Sequence, residues 1–212
     1  MREIAEGAPI IWPVKEQFLS GFQYAYPHVM FISEKLIAAE IFLTKEIKEI
    51  GGVIVLPIRF AEWMMGRQYR EHMKSKYDLF EIDWRTWKKD AMPRRDYQKE
   101  NALMKELGIE KGEPFNLIST TFGSEAQFEI KINHTDDFKN IEMKIIPGYD
   151  LFNWCGVIEN AENIYAVSSS TLYLFEILTL KAKQVHLFPR KPVESNFDFV
   201  SFLFTKNYVL HE

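Results

Sequence analysis

The sequence contains a single cysteine and no long apolar run. Cys155 cannot form a disulfide within the chain, and zinc sites built from paired cysteines are excluded. It lies in an apolar segment, LFNWCGVIENA, so we expect it to be buried and unreactive. No segment approaches the roughly 20 apolar residues that a membrane-spanning helix needs, and the apolar run near the N-terminus is too short for a secretory signal peptide. We therefore expect a soluble, cytoplasmic protein that has no membrane span.

Familiar catalytic motifs are also missing. The sequence has no Walker A phosphate loop, no GxGxxG after a strand and no GxSxG nucleophile elbow. The five histidines are scattered along the chain. We therefore expect no resident metal and no cofactor.

The composition favours a folded α/β protein with a large core. Hydrophobic residues make up 47% and aromatic residues 15% of the 212 residues, which is the opposite of a disordered composition. Charged residues make up 26%, and the formal net charge is −4. Because a mildly acidic chain is not a general nucleic-acid binder, we expect no nucleic-acid partner.

Short apolar runs alternate with helical patterns along the chain. The apolar runs are nearly continuous, as in strands that helices cover on both faces. The pattern predicts a Rossmann-like α/β fold, with a mostly parallel sheet flanked by helices. The predicted strands are residues 9–14, 29–33, 53–58, 79–83, 115–120, 141–146, 164–168 and 184–188, with an edge strand at 127–132. The predicted helices are residues 34–50, 96–108, 150–161 and 170–183.

A charged segment with glycine and proline, GIEKGEP, separates two sets of strands and helices. It predicts an N-terminal half, residues 1–108, and a C-terminal half, residues 109–212. Two small halves of this kind would face a common cleft. A single continuous sheet is the alternative, because each half is short for an independent domain.

The strongest local signal is a run of small hydroxyl residues between an apolar strand and an apolar helix. In open α/β sheets, ligands gather beyond the carboxyl ends of the strands. Backbone N–H groups at such a turn bind anions, and hydroxyl groups add donors. The alternative is that Ser169 or Ser170 simply caps the helix. The run consists of Ser168, Ser169, Ser170 and Thr171.

The segment ENAENIYAVSSSTLYLFEIL resembles the late C-terminal segment of GT-B glycosyltransferases, particularly the heptosyltransferase-like families. The resemblance covers roughly residues 115–190. It implies that the turn at 168–171 holds the diphosphate of a nucleotide-sugar donor and that Glu176 contacts the donor's nucleoside. The alternative for Glu176 is a solvated or paired helix carboxylate. The absence of an Asp-x-Asp motif, which metal-dependent GT-A enzymes use, implies a metal-independent reaction.

Other residues are candidates by position. Gly123 and Ser124 follow the predicted strand 115–120 and would line the same cleft, although a hairpin turn explains them equally well. Arg59 follows the predicted strand 53–58, and Arg59 or Arg190 would offset the charge of the leaving group. Asp83 is the candidate general base, unless it pairs with a neighbouring basic group.

Two functions remain open from the sequence. The first is an enzyme that transfers a sugar from a nucleotide-activated donor to an unidentified acceptor. The second is a non-catalytic nucleotide-binding or assembly module of the same fold. The second is favoured by the lack of a clear acid/base pair and of the family's glycine-rich acceptor loop. Its partner interface would be the surface aromatic residues around 84–97, in the basic, aromatic segment 83–100. The sequence also leaves a homo-oligomer open.

Overall fold

The computed structural model describes residues 9–38, 41, 43–64, 72–120, 132, 137–188 and 204–211. The chain divides into two compact units, Met1–Arg94 and Arg95–Glu212. The sequence placed the boundary after residue 108 instead. The difference arises because the helix at Tyr97–Glu106 packs on the segment Leu151–Asn160 of the second unit. No helix of the described residues is long and apolar enough to cross a membrane.

The first unit contains two small sheets and short helices. Strands β1 (Ile11–Val14) and β2 (Met30–Ser33) are parallel, and helix α1 (Leu19–Ala25) connects them. Strands β3 (Lys48–Ile50) and β4 (Val53–Val55) form an antiparallel hairpin. Further α-helices with described bounds are α2 (Ala61–Met64), α3 (His72–Asp78) and α4 (Trp87–Asp90). Single 3-10 turns lie at Glu16–Phe18, Glu34–Leu36, Ile58–Phe60 and Trp84–Thr86.

Two predictions for this unit are wrong. The last residues of the predicted helix 34–50 form strand β3 instead. Gly51 and Gly52 make the turn of the β-hairpin and do not end a helix. Both have positive φ, 59° and 78°, as a two-residue hairpin turn requires. The predicted strand 79–83 is a turn after α3, in which the amide of Leu79 donates to the carbonyl of Ser75.

The second unit is Rossmann-like, as the sequence predicted. Its five strands are all parallel, in the spatial order β6-β5-β7-β8-β9. The strands are β5 (Phe115–Ser119), β6 (Lys139–Glu142), β7 (Asn163–Val167), β8 (Val185–Phe188) and β9 (Tyr208–Leu210). The helices are α5 (Tyr97–Glu106), α6 (Cys155–Asn160) and α7 (Thr171–Ile177), and a 3-10 turn at Leu151–Trp154 leads into α6.

Both faces of the central strands are covered. Asn116 and Leu117, neighbours on β5, are both fully buried, and so are Ile164 and Ala166 together with Val167 on β7. Because successive residues of a strand face opposite sides, such burial requires a layer on each face of the sheet.

An asparagine ladder fixes the register at one end of this sheet. The Asn116 amide donates to Asn140 on β6 at 3.0 Å and accepts from Asn163 on β7 at 2.9 Å. A shift of either neighbour by one residue would leave the buried Asn116 amide without these partners, which is costly.

The prediction that Cys155 is buried is confirmed, because its side chain is fully enclosed. Burial raises the pKa of its thiol to about 12, against an opposing effect of Arg95. We therefore expect no modification by a disulfide reagent at pH 8 in the native state and stoichiometric modification in urea. Fast labelling of the native protein would contradict this prediction.

Candidate functional site

The strand order of the second unit defines where a ligand is expected. Along the chain, the connection from β5 leads to β6 on one side, and the next connection crosses back to β7 on the other side. The carboxyl ends of β5 and β7 therefore lie side by side where the order reverses. In open α/β sheets this topological switch point is the usual ligand site.

The serine turn lies at this switch point. Ser119 at the end of β5 is paired with Ala166 on β7, and the turn begins two residues after Ala166. Thr120, directly after β5, and Ser168 are both partly exposed. The structure therefore brings the two predicted segments, 115–120 and 168–171, to the same edge of the sheet.

Four other candidate site residues are described only in part or not at all by the structure. Gly123, Ser124 and Arg190 lie outside the described residues. Arg59 has its backbone in the 3-10 turn Ile58–Phe60 of the first unit, and its side chain is outside the description. For these four residues the predicted roles stay predictions.

The turn makes several hydrogen bonds of its own. The Ser168 amide donates to the carbonyl of Phe188 at 3.3 Å, and the hydroxyls of Ser169 and Thr171 are 2.7 Å apart. Ser170 occupies the cap position of α7, but its side chain makes no capping bond. The Ser169 hydroxyl accepts a long bond of 3.4 Å from the Thr171 amide. A side-chain hydrogen bond that caps the helix therefore does not explain why serines occupy this turn.

The backbone N–H groups at the start of α7 fall into two pairs. The N–H groups of Leu172 and Tyr173 donate to the carbonyls of Ser169 and Ser170. Those of Ser169 and Ser170 donate to no acceptor within the part of the chain that the structure describes. Ser170 is exposed and Ser169 is partly exposed.

Glu176 lies on α7 but faces the end of the chain. Its side chain is buried, at 5% exposure. It accepts hydrogen bonds from the Thr205 amide at 3.1 Å, the Lys206 amide at 3.0 Å and the Tyr208 hydroxyl at 2.9 Å. Burial, followed by the charge of Glu176, raises the pKa of Tyr208, so the phenol stays protonated and donates. The carboxylate thus holds β9 in place, and it is a paired helix carboxylate rather than an open one.

Replacing Glu176 by glutamine tests this anchoring role. The amide keeps the size of the side chain but has one acceptor oxygen instead of two, so we expect a loss of roughly 1–3 kcal/mol. Hydrogen exchange should show faster exchange at residues 205–208 and unchanged exchange in α5. Glu162→Gln, which removes an exposed ion pair with Lys181, is the control. Equal effects of both substitutions would contradict the anchoring role.

Asp83, the candidate base, is engaged locally in the first unit. Its carboxylate caps the 3-10 turn Trp84–Thr86 by accepting from the Arg85 amide at 3.1 Å, and it also pairs with the Arg85 guanidinium at 3.1 Å. The hydrogen bond from the Arg85 amide, helped by the guanidinium, lowers the pKa of Asp83. A lowered pKa makes a carboxylate a weaker base near neutral pH.

Two arginines of segment 83–100 that lie in the first unit stack on aromatic rings. The Arg85 guanidinium lies 4.8 Å from the Trp84 ring, and that of Arg94 lies 4.5 Å from the Tyr24 ring. Such stacking is typical of partly exposed arginines and leaves their charge accessible.

A cavity of about 180 Å³ lies at the other edge of the sheet. Its lining includes Lys183, Val185 and Asn207, at the amino ends of β8 and β9. Since ligands of such sheets bind beyond the carboxyl ends, the cavity is a separate feature from the serine turn.

Comparison with known proteins finds no matching family model, no matching curated protein and no matching solved structure. The class of protein is therefore defined by the fold and the candidate site alone. The second unit is an open, parallel α/β sheet structure with a polar turn at its topological switch point.

Proposed function

We propose that this chain is a glycosyltransferase-like enzyme of the cytoplasm that transfers a sugar from a nucleotide-activated donor to an acceptor without a metal ion. The observation that supports this most is the place of the serine turn at the switch point of a parallel sheet. The second support is the resemblance of the segment around the turn to GT-B enzymes.

The turn offers the groups that a donor diphosphate needs. The amides of Ser169 and Ser170 and nearby hydroxyls can donate hydrogen bonds to phosphate oxygens. Donors that are fixed in place stabilise the negative charge that develops on a departing nucleoside diphosphate. The arginine that offsets the charge, the other lining residues and the general base of this proposal stay predictions from the sequence.

A non-catalytic nucleotide-binding or assembly module is the second candidate. The observation that favours it is the state of Asp83, whose carboxylate already caps a turn and pairs with Arg85. A module of this kind needs the serine turn for binding but needs no base.

One experiment separates the two candidates. The protein is incubated with a panel of nucleoside diphosphate sugars, and both the thermal shift and slow release of free sugar are measured. Release that persists in EDTA supports the metal-independent enzyme, and binding without release supports the module. If no nucleotide sugar raises the melting temperature or is hydrolysed, both candidates are wrong.

A further inference from the structure

Two histidines from neighbouring strands form a hydrogen-bonded pair. His186 lies on β8 and His211 directly follows β9. Nδ1 of His186 is 3.0 Å from Nε2 of His211, and the ring centroids are 5.2 Å apart. The centroid distance exceeds the nitrogen distance by about two ring radii, so the two nitrogens point at each other. This is the geometry of an N–H···N hydrogen bond.

The pair is held in an aromatic row on one face of the sheet. Tyr165 on β7 stacks on His186 with centroids 4.8 Å apart, and Phe188 stacks on His211 at 4.3 Å. The register places these side chains on the same face, opposite to that of Tyr208 and its bond to Glu176. Both rings are only partly exposed, which limits their movement.

The bond between the rings needs a particular number of protons. One of the two facing nitrogens must carry a hydrogen and the other must offer a lone pair. A neutral pair and a singly protonated pair both meet this condition. When both rings are protonated, all four nitrogens are donors, the bond is lost, and two positive charges face each other.

We propose that His186 and His211 form a proton-sharing pair that fastens the end of β9 to β8 near neutral pH and releases it when both rings become protonated. The backbone bond from the His211 amide to the Leu187 carbonyl, 2.9 Å long, is the part of the ladder that would open. This inference does not depend on the proposed function.

The pH range follows from the surroundings of His186. Burial, and then the charge of His211, lower its pKa from the ordinary value of 6.5. The other rings in the row are the phenol of Tyr165, which stacks on His186, and the uncharged ring of Phe188, which stacks on His211. A lowered pKa in the folded state means that the unfolded chain binds the proton more tightly. The stabilisation is therefore present above about pH 6.5 and is lost as the pH falls from there through the folded pKa.

Nitrogen-15 NMR of the imidazole rings tests the shared proton. In a titration from pH 8 to pH 4.5, the signals of His186 should change in two steps, because it shares a proton with the ring it faces. In His211→Gln, which keeps a polar partner that does not titrate, His186 should titrate in one step. Independent single-step curves in the wild type, or an unchanged His186 curve in His211→Gln, would overturn the proposal.

Hydrogen exchange tests the release of β9. Protection factors, which remove the intrinsic effect of pH, should fall at residues 210–211 of the wild type between pH 7 and pH 5. They should change much less in His186→Gln, which lacks the second proton site. His28→Gln, which removes a histidine of the first unit next to Tyr26, should behave as the wild type. Equal pH dependence in all three proteins would show that the pair does not control β9.

Discussion

Replacing Arg95 by methionine should destabilise the second unit by about 3–5 kcal/mol, because it leaves a buried carboxylate without its charged partner. Arg95 Nε donates to Glu100 at 2.6 Å, and Nη2 donates both to Glu100 and, at 2.9 Å, to Glu159. The Arg95 and Glu100 side chains are only 11% and 3% exposed. Solvent therefore cannot replace the missing hydrogen bonds.

The close packing of two helices makes this effect large. Glu100 lies on α5 and Glu159 on α6, and Arg95 joins them. A Cβ atom at Gly156 would lie 3.1 Å from Oε2 of Glu100, so glycine allows α6 to approach the carboxylate closely. In such a tight contact a water molecule has little room to enter and hydrate Glu100.

Cys155 provides the measurement, since it is buried in α6 and reacts only when the second unit opens. The fraction that is labelled in a urea series gives the free energy of unfolding for Arg95→Met and for the wild type. The matched control is Arg85→Met, which breaks the exposed pair with Asp83 and should cost about 0–1 kcal/mol. The double variant Arg95→Met, Glu100→Met should recover much of the loss, because a buried pair replaced by apolar groups is often nearly neutral. A loss below about 1 kcal/mol in the single variant would show that Glu100 is not held by Arg95.

Local patterns in the sequence were enough to predict the parallel sheet and its serine turn. The apolar runs at 115–120 and 164–168 are continuous because helices cover both faces, and their positions agree with β5 and β7 to within a residue. The turn follows β7 directly, so its place at the carboxyl edge follows from the strand prediction. The strand order, and therefore the switch point, depends on pairing between distant segments and was visible only in the structure.

Features that depend on contacts between distant residues were missed. Arg95 and Glu159 are 64 positions apart, and His186 and His211 are 25 apart, so no spacing rule connects them. For Glu176 the sequence left a donor contact and a solvated or paired carboxylate open, and its pairing with segment 204–208 was visible only in the structure. Strand β9 has only three residues, too few for a recognisable period. In each case tertiary packing decides the role of a side chain that looks ordinary in the sequence.

Replacing Ser169 by aspartate should abolish most nucleotide binding while the fold is retained. If the turn holds a diphosphate, the new carboxylate places a negative charge where the charge of the ligand must lie. In a partly desolvated site this repulsion costs on the order of 2–4 kcal/mol, or roughly a 30- to 1,000-fold loss of affinity. Aspartate is well tolerated at the start of a helix, where the dipole favours negative charge, so stability should hardly change.

Ser169→Asn is the matched control, because asparagine has the shape of aspartate without its charge. Calorimetric titration of the wild type and both variants with a nucleoside diphosphate should show the loss in Ser169→Asp and near-normal affinity in Ser169→Asn. A turn that only starts the helix and binds no diphosphate would give the same affinity in all three proteins. Equal affinities would therefore remove the donor site from this turn, and an equal loss in both variants would point to the size of the side chain instead of its charge.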